Sequence, residues 1–287
     1  LFERVARLVA ELGAGAGEIA RATQVGGRGE ARAKADLGAG HQSPGQISHL
    51  DSMEYPLVDF DWNARDQLAF LEVLRRQPSR PAIVYTSTRQ IYGRPHYTPV
   101  DEAHPINPVD VNGVSQHAAE QFHLLYARVY GLRACSLRLT NIYGPRLRLT
   151  ESRQGVIGVF LRRALQGEQI TVFGDGSQLR DFLHVDDVID ALVAAAVSDA
   201  AVGEAFNISH AQPLPLLQVA EAIVRAAGGG RVELVPWPPE HRAIDIGDFV
   251  GDFSKARRVL GWEPRIGFEA GVAATIAFFR EHRSWYL

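Results

Sequence analysis

Apolar positions along the chain follow two rhythms. Ala82-Ile83-Val84-Tyr85 is a short, uninterrupted apolar run, the pattern of a strand buried on both faces in a parallel sheet. From Asp110 the apolar residues Val111, Val114, Ala118, Phe122, Leu125 and Val129 recur at helical spacing until Gly131 stops them. Ala134–Thr140 reads as the next strand. Upstream, residues 56–76 form a helix with Leu57, Phe60, Leu68, Leu71 and Leu74 on its apolar side. Downstream, the pattern predicts a helix over Val156–Leu165, a strand over Ile170–Gly174 and a helix over Val188–Val197. A strand over Glu204–Ser209, a helix over Leu214–Ala227 and a last helix over Phe268–Arg283 follow. Strands alternating with helices imply an α/β fold built on a parallel sheet. The first strand ends in Thr86-Ser87-Thr88, so small hydroxyls stand at its carboxyl end, where open α/β sheets bind ligands.

Residues 1–45 break the rhythm. Val5, Leu8, Val9 and Leu12 fit one short amphipathic helix. The rest is glycine, alanine and arginine, with glycine clusters at Gly13-Ala14-Gly15-Ala16-Gly17 and Gly26-Gly27-Arg28-Gly29. A glycine-rich phosphate loop needs a buried strand before it and a helix after it. Neither cluster has such a strand. The segment reads as flexible, or as a missing or scrambled beginning of a nucleotide-binding lobe.

Composition adds limits. The chain has 287 residues, 46% of them hydrophobic and 22% charged, with a net charge of −3. These values describe an ordinary soluble protein and argue against nucleic acid as the main partner. No apolar run is long enough for a membrane span, and no leader is evident, so a cytoplasmic location is expected. The single cysteine, Cys135, lies in an apolar strand pattern and reads as a small buried hydrophobe. His184, Asp186 and Asp187 are close in sequence, but the two acids also open a helix, where they favour its positive end; no metal is expected.

Three motifs then carry a resemblance. They are Ser87-Thr88-Arg89-Gln90-Ile91-Tyr92-Gly93, Asn112-Gly113-Val114-Ser115-Gln116 and Arg138-Leu139-Thr140-Asn141-Ile142-Tyr143-Gly144-Pro145. Together they resemble the extended short-chain dehydrogenase/reductase family of sugar-nucleotide epimerases and dehydratases. That family carries Ser-Ser/Thr-x-x-x-Tyr-Gly, then Tyr-x-x-x-Lys, then Arg-x-x-Asn-x-Tyr-Gly-Pro. The first and third motifs match. In the second, Asn112 stands for the tyrosine and Gln116 for the lysine. A phenol beside an ammonium works as a general acid and base. An asparagine amide gives up no proton near neutrality, and glutamine carries no charge. The family's proton transfer therefore needs another group here, or does not occur.

The resemblance, which spans about 46–287, implies a doubly wound, Rossmann-like parallel sheet with an incomplete first lobe and a smaller carboxyl-terminal substrate lobe. The expected division is 1–45 degenerate, 46–150 NAD(P)-binding and 151–287 substrate-binding, the two lobes interleaved. The implied reaction is transient hydride transfer on a nucleotide-diphosphate sugar, with NAD or NADP as cofactor. The alternatives are a non-catalytic relative that binds a nucleotide sugar or partner, and an inactive truncated product. By resemblance, Thr88, Asn112 and Gln116 occupy the catalytic positions. Gly45, Gln46, Asn63, Ser87, Gln116 and Leu139 fall on the cofactor side. Asn141, Gln154, Thr171, Phe173, Arg180, Arg242 and Asp245 fall on the substrate side, with the arginines on the diphosphate. Relatives also pair as homodimers through the helices matching 56–76 and 110–130.

Overall fold

The computed structural model describes residues 48–78, 80–149 and 155–287. The readings made above for residues 1–45, with Gly45, Gln46 and Gln154, lie outside the described residues. The elements are α1 (His49–Glu54), α2 (Pro56–Phe60), a π-helical turn (Asp61–Arg65), α3 (Asp66–Leu74), β1 (Ala82–Thr88), a 3₁₀ turn (Arg89–Tyr92), α4 (Val111–Tyr130), β2 (Arg133–Leu139) and β3 (Asn141–Tyr143). There follow α5 (Val156–Gln166), β4 (Gln169–Phe173), β5 (Leu179–Arg180), β6 (Phe182–His184), α6 (Val185–Val197), β7 (Ala205–Ile208), β8 (Leu214–Pro215), α7 (Leu216–Ala227) and β9 (Arg231–Val235). Helices α8 (Pro239–Ala243), α9 (Ser254–Leu260), α10 (Phe268–Glu281) and α11 (Arg283–Tyr286) end the chain.

Strands β1, β2 and β7 form a parallel sheet in that order, with Ala82 opposite Arg133 and Ser136 opposite Ala205. Successive side chains of a strand face opposite ways. Ile83 accordingly packs with Leu71, Leu74, Tyr126 and Leu132 under α3 and α4, while Val84 packs with Val188, Ala191, Phe206 and Trp262 under α6 and α9. Helices on both faces make the sheet doubly wound. Cys135 belongs to the second cluster, and burial pushes its thiol pKa up to about 12. Two parallel pairs, β3–β6 and β4–β9, continue the chain beyond this sheet, and α5, α7 and α10 enclose a separate core around Phe160, Ile223 and Phe279.

Local chemistry sets the borders. Asp110 caps α4 by accepting from Gly113 N at 2.6 Å, and Gly131 closes it in the left-handed conformation. Gly93 closes the Ser-Thr-x-x-x-Tyr-Gly motif at φ +65°, where a Cβ would stand 1.8 Å from the Asn107 carbonyl oxygen, so glycine alone fits. Helix α6 starts earlier than its apolar spacing suggests. His184 is its cap, accepting from Asp186 N, and both acids lie in its first turn. Asp187 turns inward and accepts from the backbone amides of Arg265 and Ile266.

The apolar stripes noted above on two helices are only partly buried. Val114, Leu125 and Val129 of α4 are exposed, and so are Leu57 and Phe60 of α2. The buried side of α4 carries Asn112, Ser115, Glu120, His123 and Tyr126 instead. Its polar groups reach partners on β2, α2 and α3, which periodicity does not reveal.

Candidate functional site

The carboxyl edge of β1 faces the start of α4 and the π-helical turn. There the turn brings Asn63 against α4, and π-helical turns of this kind recur at functional sites. Asn63 Nδ2 donates to Asp59 Oδ2 at 3.0 Å. Asn112 Nδ2 donates to the same oxygen at 3.1 Å. Gln116 Nε2 donates to Asn63 Oδ1 at 3.3 Å, and Gln116 Oε1 accepts from the Tyr85 hydroxyl. The two residues at the Tyr/Lys positions thus meet one cluster, as an i, i+4 pair on one helix face should. Asp59 and Tyr85 belong to it too, and the sequence reading missed both. Asp59 lies four residues before Asn63, one helical turn away, but an acid in a helix carries no mark of this role in the sequence.

Apart from the Asp59 carboxylate, this cluster supplies neutral hydrogen-bonding groups. Burial, then the charges of Glu120 and Asp59, raise the Tyr85 phenol far above its ordinary value. His123 stacks on Tyr85 at 4.5 Å between ring centres. Burial lowers it to about 4, so its imidazole stays neutral. Burial lowers His117 as well, against the pull of Glu120. Among the described residues no group of three or more histidines, cysteines or acids is placed to hold a metal ion.

The hydroxyl-bearing end of β1 leads to a second cluster. Thr88 accepts from Gln90 N at 3.2 Å and so caps the 3₁₀ turn. Arg89 Nη2 donates to Asn141 Oδ1 at 3.1 Å, and Asn141 Nδ2 donates to the Asp181 carbonyl at 2.9 Å. Buried Asp181 accepts from the Thr140 hydroxyl and from Gly251 N. Arg180 pairs with Asp245 at 2.9 Å and donates to the Gly247 carbonyl. Arg180, Asp245 and Asn141 of the expected substrate set therefore gather in one region, joined by Arg89 and Asp181, which the sequence reading did not select. Arg242 is exposed on α8. Thr171 accepts from Arg163 at 2.9 Å, and Phe173 packs beside Trp237 and His241. Ser87 is buried, and Leu139 lies half-buried at the end of β2.

Comparison with known proteins decides the family. The model of the NAD dependent epimerase/dehydratase family matches residues 40–209, more than half of the chain. The chain belongs to that family. A putative UDP-glucose 4-epimerase of Methanocaldococcus jannaschii is 32% identical over 242 residues, 84% of this chain and 76% of the relative. The UDP-glucose 4-epimerase of Mycolicibacterium smegmatis is also 32% identical, covering 82% of this chain and 74% of its own. Among solved structures, the Thermotoga maritima UDP-glucose 4-epimerase with UDP-glucose superposes with a TM-score of 0.76 at 28% identity, over 84% of this chain and 77% of that one. The expected Rossmann-like fold is thereby shown, as is the recognition of an epimerase/dehydratase relative. No helix of the described residues is long and apolar enough to cross a membrane.

Proposed function

We propose that the chain binds a nucleotide-diphosphate sugar and acts on it as an NAD(P)-dependent epimerase/dehydratase-like protein. The observation that carries this reading is the gathering of Arg180, Asp245, Asn141 and Thr88 at the carboxyl side of the sheet, in a chain of this family. Arginine suits a diphosphate because its planar fork is always charged and donates in pairs. Arg180 would take the diphosphate, Asp245 the nucleotide ribose and Thr88 the reacting sugar hydroxyl. Relatives named for UDP-glucose, UDP-glucuronic acid and dTDP-glucose support the substrate class.

Neutral donors on Gln116 and Asn63 fit a nicotinamide ribose. When bound there, NAD or NADP supplies hydride chemistry. The chain's own part is to hold and orient the sugar. Asn112 and Gln116, tied to Asp59 and Tyr85, favour a second reading in which the chain binds the nucleotide sugar without turning it over.

Calorimetric titration with NAD, UDP and dTDP separates these readings. Micromolar binding of a nucleoside diphosphate, weakened at least about tenfold by Arg180→Met, is expected because charged hydrogen bonds contribute about 1.5–3 kcal/mol. NAD binding in addition favours the enzyme. No binding of either nucleoside diphosphate rejects both readings.

The same reading includes a homodimer. The exposed Leu57 (78%) and Val129 (60%), with Phe60, Val114 and Leu125, lie on the helices 56–76 and 110–130. Apolar patches of this kind mark interaction faces. Helices α2 and α4 pack together, so a two-fold axis would join four helices. Light scattering is expected to give twice the chain mass, and Leu125→Glu with Val129→Glu to halve it. A monomeric parent chain rejects the dimer.

A further inference from the structure

Strand β1 runs out in three small hydroxyl residues, and the next residue is an arginine. Arg89 is half-buried, and its head group meets the protein. Its Nη2 reaches Asn141 at 3.1 Å, its Nη1 comes within 3.4 Å of Gln90 Oε1, and its guanidinium lies 5.2 Å from the centre of the Phe249 ring. Each of these partners is neutral. Among the described residues no carboxylate stands within ion-pair distance of Arg89.

The carboxylates that act on it from further away have partners of their own. Asp181 takes Thr140 and Gly251 N, Asp245 takes Arg180 and Gly247 N, and Asp110 takes Gly113 N and His49. Burial, then repulsion from Arg180, lowers the Arg89 pKa to about 10, as befits a cation short of counter-charge. A half-buried guanidinium with neutral partners gains from an anion that arrives with a ligand.

Position says which anion. Arg180, already paired with Asp245, is the diphosphate candidate. Arg89 adjoins Thr88, at the sugar end of the proposed site. We propose that Arg89 is a specificity residue that selects a nucleotide sugar bearing a carboxylate on its ring, a uronic acid, over the neutral hexose. This rests on the nucleotide-sugar reading above.

The test is calorimetry on the full chain with UDP, UDP-glucose and UDP-glucuronate, or the matching thymidine compounds if only dTDP binds. The parent chain is expected to hold the glucuronate about tenfold or more tighter than the glucose compound. Arg89→Met should abolish that preference and leave UDP affinity unchanged, while Arg89→Lys should keep part of it. A brace that only ties Asn141 to Phe249 would produce no such discrimination. Equal affinity of the parent chain for the two sugars, with UDP still bound, overturns the proposal and leaves the nucleotide-sugar reading standing. So does a preference that survives Arg89→Met. Equal weakening of UDP itself by Arg89→Met assigns the arginine to the diphosphate and overturns the carboxylate. No binding of any compound rejects both readings. The comparison within the parent chain decides even if a variant folds poorly.

Discussion

Glu120→Ala is expected to lower the stability of the chain by about 3–5 kcal/mol, measured as a shift of the urea midpoint at constant slope. Glu120 is fully buried on α4, and Arg138 is nearly so on β2. Arg138 Nη2 donates to Glu120 Oε1 at 2.7 Å and Nε to Oε2 at 3.0 Å, while Ser136 Oγ donates to Oε2 at 2.9 Å. The guanidinium also donates to the Tyr92 hydroxyl at 2.7 Å, and Tyr92 donates to Asn207 on β7 at 2.7 Å. One chain of hydrogen bonds therefore ties α4 to β2, to the 3₁₀ turn that follows β1, and to β7. Removing the carboxylate leaves a buried guanidinium held by neutral groups alone, which is the costly way to break such a pair. Replacing both partners by leucine and methionine is expected to cost less than the single change, because no charge is then stranded. A double variant weaker than Glu120→Ala would refute this account. The pH dependence has a definite sign. Burial alone would raise the Glu120 pKa, but the hydrogen bonds and charge of Arg138 outweigh it, and the net shift is downward. A depressed folded value means the stabilisation is whole above the ordinary glutamate range. It is lost as pH falls through that range and then through the lowered value.

How far the sequence reveals this molecule depends on where each residue's partners lie. Strand β1, helix α4 and its caps follow from local rules: an apolar run, an aspartate, a left-handed glycine. The three motifs fall where such rules place them, and the family match agrees. Faces are harder. Val114, Leu125 and Val129 keep perfect helical spacing, yet they face outward, because spacing marks an apolar stripe without saying what covers it. Glu120 and His123 look like surface residues by composition, and only Arg138 and Tyr85 from other elements make their burial affordable. The site divides in the same way. Asn63 and Gln116 were found because their family positions are fixed. Asp59 and Asp181 were not, since an acid in a helix or after a short strand has no signature of its own. Arg89 sat inside a recognised motif as one of its variable positions, and its importance appears only when Asn141 and Phe249 stand beside it.

The double substitution Asn112→Tyr with Gln116→Lys is expected to raise turnover of a nucleotide sugar by about 10²–10⁴-fold over the parent chain, the range that a positioned acid–base group contributes. The measurement is the interconversion of UDP-glucose and UDP-galactose, or of whichever sugar pair calorimetry selects. Each single change should do far less. A phenol at 112 without a neighbouring ammonium keeps a pKa too high to release its proton near neutrality. An ammonium at 116 without the phenol has nothing to activate. The two changes act as a unit, so their effects should be strongly non-additive. The structure also predicts what they disturb. Asn112 gives one of the two amide hydrogen bonds to the Asp59 carboxylate, and Gln116 accepts the Tyr85 hydroxyl. Removing both leaves Asp59 with Asn63 alone and Tyr85 with only a 3.4 Å contact to the backbone carbonyl of residue 116. An unsatisfied buried group costs about 1–3 kcal/mol, so the double variant should melt at a lower temperature while it gains activity. If the parent chain already turns the sugar over and the double variant does not improve on it, another group performs the proton transfer. Asp59, the carboxylate that touches Asn112, is then the first to replace, with asparagine. If the double variant gains hydride exchange that the parent lacks, Asn112 and Gln116 are the reason this member of the family binds its sugar and leaves it unchanged.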